Sequence, residues 1–328
     1  MNYIELENEF KTKVILSTVG ASIVDIKTLD YMGNLGSIVT VPINQKEFEN
    51  ATSYFGKTIG RTGGRISNSK FVLNGKEYFI QSNDPNGLHG GTDGLSYKDF
   101  NYILSEDDDA YICTFSYYSP DLEAGYPGNL TLKVIYKLFK KENKLSINYV
   151  ASCDKDTLLN LSNHAYFNLN AESGNNVLDH YLYINASKME EIKNALPNKI
   201  VECEKIYSFK NSHKIKDFLF DEKIINNTNG YDNPYIFDSF CDNQIELYDD
   251  VTKRKLTVST SYPAVVVYTC NYPEGLLMNN HRKQKAYDAV CLECMFLPNS
   301  INSDFLSDKK DILRKDNYYN ETITFKFN

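Results

Sequence analysis

The sequence predicts an all-β protein, either a sandwich or a barrel, and three observations carry that prediction. Apolar and polar residues alternate with period two in one stretch after another, each bounded by turn residues. The chain holds 25 Tyr and 18 Phe but no Trp, an aromatic load that favours pleated sheet. Strands follow strands without alternating helices, which excludes a doubly wound parallel sheet. No Gly-x-Gly-x-x-Gly follows a strand to suggest a dinucleotide fold.

Taken along the chain, the first clear hairpin covers residues 71–80 and turns at Asn74-Gly75, a pair suited to two successive positive φ angles. Residues 130–138 and 145–150 form a second hairpin around Lys140-Lys141-Glu142-Asn143. Thr157-Leu158-Leu159-Asn160-Leu161 reads as a strand. A short helix is expected around residues 214–224, with Asp221 and Glu222 breaking its apolar face. Residues 244–248 and 255–260 make a third hairpin, bent at Asp249-Asp250. Ala264-Val265-Val266-Val267-Tyr268 is a buried strand, and residues 321–327 alternate cleanly at the C-terminal end. With no proline-rich or serine-rich linker and no repeat of fixed period, residues 1–328 read as a single domain.

The bulk composition narrows the function. Net charge is -8, which argues against nucleic acid and against an anionic membrane surface, since both demand clustered Lys and Arg. The acidic start and the lack of an eighteen-residue apolar run point to a cytoplasmic protein. The seven cysteines read as reduced core thiols. Cys291 and Cys294 make a lone Cys-x-x-Cys, too few ligands for structural zinc, and on a strand they point to opposite faces.

Five residues stand out as site candidates. His89 lies in the loop sequence Asn86-Gly87-Leu88-His89-Gly90-Gly91, and His164 follows a strand and precedes Tyr166-Phe167. Aromatic faces there suit the C–H surface of a sugar, while asparagine and histidine suit its hydroxyls. Gly60-Arg61-Thr62-Gly63-Gly64-Arg65-Ile66 sets two of five arginines in a glycine-bearing turn, a donor fork beside permissive backbone. Asp232, in Gly230-Tyr231-Asp232-Asn233-Pro234, reads most simply as a turn aspartate. Glu293 is different, because every neighbour in Val290-Cys291-Leu292-Glu293-Cys294-Met295-Phe296 is apolar. A carboxylate buried there costs several kcal/mol unless it is paired, so a functional role is expected.

Taken together, these motifs resemble those of the aldose 1-epimerases, the galactose mutarotases. The family's Gly-Arg-x-x-Asn-Arg-Ile matches residues 60–66, its Leu-His-Gly-Gly residues 88–91, and its Gly-Tyr-Pro-Gly-Asn-Leu residues 125–130. Asn163-His164 and Tyr166-Phe167-Asn168-Leu169 align without a gap to its histidine block. Gly-Tyr-Asp matches residues 230–232, and the late Leu-Glu strand followed by Pro and Asn matches residues 292–299. The resemblance implies a large antiparallel β-sandwich, the supersandwich, with its site in a cleft on one sheet. It implies Glu293 as general base at the anomeric hydroxyl and His164 as general acid at the ring oxygen. Arg65, His89 and Asp232 would bind and orient a monosaccharide, with no metal or organic cofactor and with a homodimer as one option of assembly.

Four positions depart from the pattern. Gly64 stands for a usual Asn, Asn233 for a His, Met295 for a Gln, and Phe100 lies near the place of a Trp. Unperturbed pKa values of about 4.3 and about 6.5 favour an ionised Glu293 beside a partly protonated His164, unless desolvation dominates. Three rival readings stay open at this point. A glycoside hydrolase would use Asp232 and Glu293 at roughly 5 to 9.5 Å. A hexose 6-phosphate 1-epimerase would use Arg61 and Arg65 as phosphate ligands. The third is a non-catalytic sugar-binding protein on the same scaffold.

Overall fold

The computed structural model describes residues 2–82, 84–306 and 311–328. Its larger sheet has nine strands in the order Asn101–Glu106, Ala110–Ser119, Leu130–Phe139, Lys144–Cys153, Tyr318–Phe327, Lys255–Thr260, Ile245–Tyr248, Tyr181–Ile184 and His213–Lys214. A second sheet of six runs Tyr166–Phe167, Val290–Met295, Ala264–Tyr268, Asp232–Ile236, Lys188–Lys193 and Leu196–Glu202. Neighbouring strands in both are antiparallel. A four-stranded sheet from Tyr3–Glu7 to Leu35–Ser37 supplies the N-terminal flank.

Alternation explains how the two large sheets meet. Leu130, Leu132, Val134, Tyr136 and Leu138 all point the same way from one strand and are fully buried. They share one apolar cluster with Val265, Val267, Val290, Leu292 and Cys294 of the six-stranded sheet, so the inner faces of both sheets form the core of a sandwich. That is the expected all-β antiparallel architecture.

The three hairpins form where the pattern places them. Lys70–Leu73 pairs with Lys76–Phe79, and Asn74 and Gly75 have φ of 51° and 76°, as the Asn-Gly turn requires. The second spans Leu130–Phe139 and Lys144–Cys153, and the third Ile245–Tyr248 and Lys255–Thr260. Two expectations are corrected. The helix around 214–224 is broken into Lys216–Leu219 and Glu222–Thr228, because Asp221 turns its side chain to the Lys223 N–H and caps the second piece. Asp232 opens the strand Asp232–Ile236 rather than sitting in a turn; the left-handed Asn229 ends the helix and the chain extends from there. Helix Gln45–Asn50, capped by Asn44, has too short an apolar stripe to be read from sequence.

Candidate active site

The six-stranded sheet has one face in the core and the other over a cavity, and period two sorts its residues between them. From Val290–Met295, residues Val290, Leu292 and Cys294 join the core while Glu293 faces the cavity, on the side it shares with Cys291 and Met295. Val265 and Val267 likewise point inward, leaving Val266 and Tyr268 at the cavity. In Asp232–Ile236, Tyr235 is core and Asp232 and Pro234 line the cavity. Antiparallel register then sets Glu293 opposite Val266, and Asp232 opposite Tyr268.

His164 arrives from outside that sheet, on the short connection between Ser162–Asn163 and Tyr166–Phe167. Its backbone is held at both ends: its N–H donates to the Lys57 carbonyl at 2.9 Å, and its carbonyl accepts from Gly56 N–H at 2.8 Å. The ring Nε2 lies 3.3 Å from Glu293 Oε1, and Nδ1 lies 3.5 Å from Cys291 Sγ. Tyr54, Tyr166 and Tyr268 surround the imidazole, with ring centroids 5.9, 5.1 and 6.3 Å away.

Arg65 and His89 come together through a small ladder in which Arg65–Ile66 pairs with Gly87–Leu88. His89 then turns back with φ of 49°, and its Nδ1 accepts the Gly64 N–H at 3.1 Å. This leaves the single proton of a neutral ring on Nε2. The rings of His89 and His164 meet edge to face, 5.1 Å apart. Gly64 has φ of 73° and its backbone approaches Pro298 so closely that an added Cβ would come within 2.6 Å of the proline ring.

All five expected residues, Arg65, His89, His164, Asp232 and Glu293, line one cavity of about 280 Å³, the scale of a small-ligand site. Arg61 does not join them. Its buried guanidinium donates to the Ser119 hydroxyl and carbonyl, to the carbonyls of Pro120, Pro127 and Gly128, and to the Thr157 hydroxyl. It is a strut between loops, which removes the phosphate role weighed for it. Tyr54, Tyr268, Val266 and Pro234 line the cavity without having been singled out. Cross-strand register with Glu293 points to Val266 and register with Asp232 to Tyr268; nothing local marks Tyr54.

The electrostatics follow from burial. Desolvation lowers the His164 imidazole to about 4 and pushes the Glu293 carboxyl well above its ordinary range. The neighbouring Asp232 raises Glu293 further, and Arg65 opposes both effects. Asp232 is raised mainly by burial, again opposed by Arg65, and His89 is pushed well down by burial, then by His164 and Arg65. Burial therefore opposes the charged form of both groups and favours a neutral pair. Two polar atoms in this pocket, Glu293 Oε2 and Arg65 Nε, are buried without a hydrogen-bond partner among the described residues.

His89, His164 and Glu293 offer ligand atoms within 4.8 Å of one another, a donor set of the kind zinc accepts. The fit is poor, because the Gly64 N–H already occupies Nδ1 of His89 and a metal at Nε2 would have to displace the ring proton. What the arrangement does offer is an acid–base pair, a hydrogen-bond donor in His89, a cation in Arg65 and a half-buried carboxyl in Asp232.

Comparison with known proteins agrees across the whole chain. Aldose 1-epimerase from Haemophilus influenzae is 34% identical over 282 residues, covering 84% of this chain and 81% of that protein. Human galactose mutarotase is 29% identical over 326 residues, covering 96% and 91%. The crystal structure of the GalM/aldose epimerase homologue from C. elegans superimposes with a TM-score of 0.90 at 26% identity, covering 100% of this chain and 98% of the other. The sandwich is thus of the galactose mutarotase type, and no helix among the described residues is long and apolar enough to cross a membrane. With the family model for aldose 1-epimerases matching residues 2–326, the chain belongs to the aldose 1-epimerase family.

Proposed function

We propose that this isomerase interconverts the α and β anomers of free hexoses such as galactose and glucose, with Glu293 and His164 exchanging protons with the sugar. The observation that carries the reading is the buried pair itself, Nε2 and Oε1 at 3.3 Å in a pocket of single-sugar scale. Burial favours the neutral pair, with the exchangeable proton on Glu293. Moving that proton to Nε2 creates a carboxylate made more basic, and an imidazolium made more acidic, by the same burial. The carboxylate removes the O1 proton as the C1=O1 bond forms; the C1–O5 electrons pass to O5, which takes the Nε2 proton. Rotation about C1–C2 and reclosure on the other face reverse both transfers.

The remaining residues orient the ring. Arg65 and Asp232 supply a donor and an acceptor for hydroxyls, and the Nε2–H of His89 donates to another. The partnerless Glu293 Oε2 and Arg65 Nε support this, since buried polar atoms are left unsatisfied at a cost that a ligand repays. A glycoside hydrolase would leave the paired histidine without a task. Residues 1–328 act as one domain in this reading, and the seven free thiols fit a reducing, cytoplasmic setting. Whether two copies associate is measured by sedimentation.

The test is polarimetry on freshly dissolved α-galactose and α-glucose. Glu293→Gln is expected to lower kcat by about 10²- to 10⁴-fold while retaining sugar binding by calorimetry. Undiminished equilibration by that variant would overturn the assignment.

A further inference from the structure

We propose that Cys291 is a positioning residue for His164: a neutral sulfur acceptor that holds one ring proton on Nδ1 and leaves Nε2 turned to Glu293, free to receive and return the proton of the reaction. The inference rests on the mutarotase reading and adds a residue to it. Its geometric basis is the 3.5 Å separation of Sγ and Nδ1. The thiol sits two residues before Glu293 on Val290–Met295, and period two turns both side chains to the same face. One strand thereby fixes the base and the partner of the acid together. Cys291 is fully buried and packs in the apolar cluster with Phe55 and Tyr166.

The chemistry needs such a group. When Nε2 gives its proton to O5, the imidazolium becomes a neutral ring that keeps the proton on Nδ1, and that proton requires an acceptor inside an apolar pocket. The groups facing the ring are Glu293, His89, Tyr54, Tyr166, Tyr268 and Cys291. Of these, the sulfur is the one bonded to Nδ1. Burial holds the thiol well above its ordinary range, so it stays uncharged. A carboxylate in that place would stabilise the imidazolium and weaken it as an acid. A neutral sulfur supplies the acceptor without that penalty. The Cys-x-x-Cys pair of the sequence thus divides by face, one thiol behind the catalytic ring and the other in the core.

Two measurements test the inference on the intact protein. Nitrogen-15 spectra of the imidazoles in the wild type at neutral pH are expected to show neutral His164 as the Nδ1–H tautomer. Polarimetry is expected to show Cys291→Ala losing about 10-fold to 100-fold in kcat with little change in KM, the scale seen when a functional histidine loses its orienting partner. Cys291→Ser, whose hydroxyl accepts the same proton, is expected to restore most of the rate, and Cys291→Asp to move the His164 titration upward. An Nε2–H tautomer in active wild-type enzyme, or a Cys291→Ala variant with unchanged kcat and pH profile, would overturn this inference alone. Wild-type protein without mutarotase activity would overturn the reading beneath it.

Discussion

Two buried charged-type side chains outside the catalytic pair show how differently the fold treats polar groups. Arg61 spends its donors on six oxygen atoms of the loops at 119–128 and of Thr157. Replacing it by Met would strand several buried carbonyls, so Arg61→Met is expected to lower stability by about 3 kcal/mol or more in urea denaturation. Glu190 is the opposite case: it is wholly buried, and neither carboxyl oxygen has a hydrogen-bond partner among the described residues. Burial raises it from 4.5 to about 8. The sign follows from linkage: a carboxyl raised on folding binds more protons in the native state, so its contribution is full below pH 4.5 and is lost as pH rises to about 8. The shift corresponds to roughly 4 to 5 kcal/mol as an upper bound. Glu190→Gln is expected to flatten the fall in urea midpoint between those pH values; an unchanged slope would show that Glu190 does not cause it.

At the scale of elements, the strand bearing Glu293 needs an anchor where it leaves the sheet, and Asn160 provides one. Its amide donates to the Phe296 carbonyl and accepts the Phe296 N–H, both at 2.9 Å, reproducing a strand partner with a side chain. Asn160→Ala leaves both groups buried and unpaired, and is expected to cost about 1 to 3 kcal/mol and to reduce kcat as Glu293 drifts from His164. Thermal melting and polarimetry on the same sample check both effects. This clamp was beyond the reach of sequence, because its partners are 136 residues apart. Hairpins were legible for the converse reason: Asn74-Gly75 carries its turn preference in two adjacent residues. The helix expected at 214–224 failed on a local competition, in which Asp221 caps a new helix rather than continuing the old one.

At the scale of the whole molecule, the pocket joins chain segments from Thr52 to Pro298. Glu293 stands out from its apolar neighbours alone, but the other four expected residues gain their roles from recognisable family blocks; isolated, Asp232 looks like a turn residue and Arg61 like the equal of Arg65. Composition then decides what the assembled pocket will accept. The chain carries a net charge of -8. Arg61 is committed to the loops, which leaves Arg65 as the arginine lining the pocket among the described residues, already between the fields of Asp232 and Glu293. A phosphate dianion brought into that setting meets the carboxyls of Asp232, Glu274 and Glu293 and one arginine cation, and its desolvation is not offset. A neutral hexose meets no such barrier. Hexose 6-phosphates are therefore expected to show kcat/KM at least about tenfold below the free sugars, with the gap narrowing as added salt screens the repulsion. Side-by-side anomer equilibration of glucose and its 6-phosphate at two ionic strengths measures this. Equal efficiency at low salt would mean that an unrecognised cation serves the pocket, and would return the phosphorylated sugar to consideration as substrate.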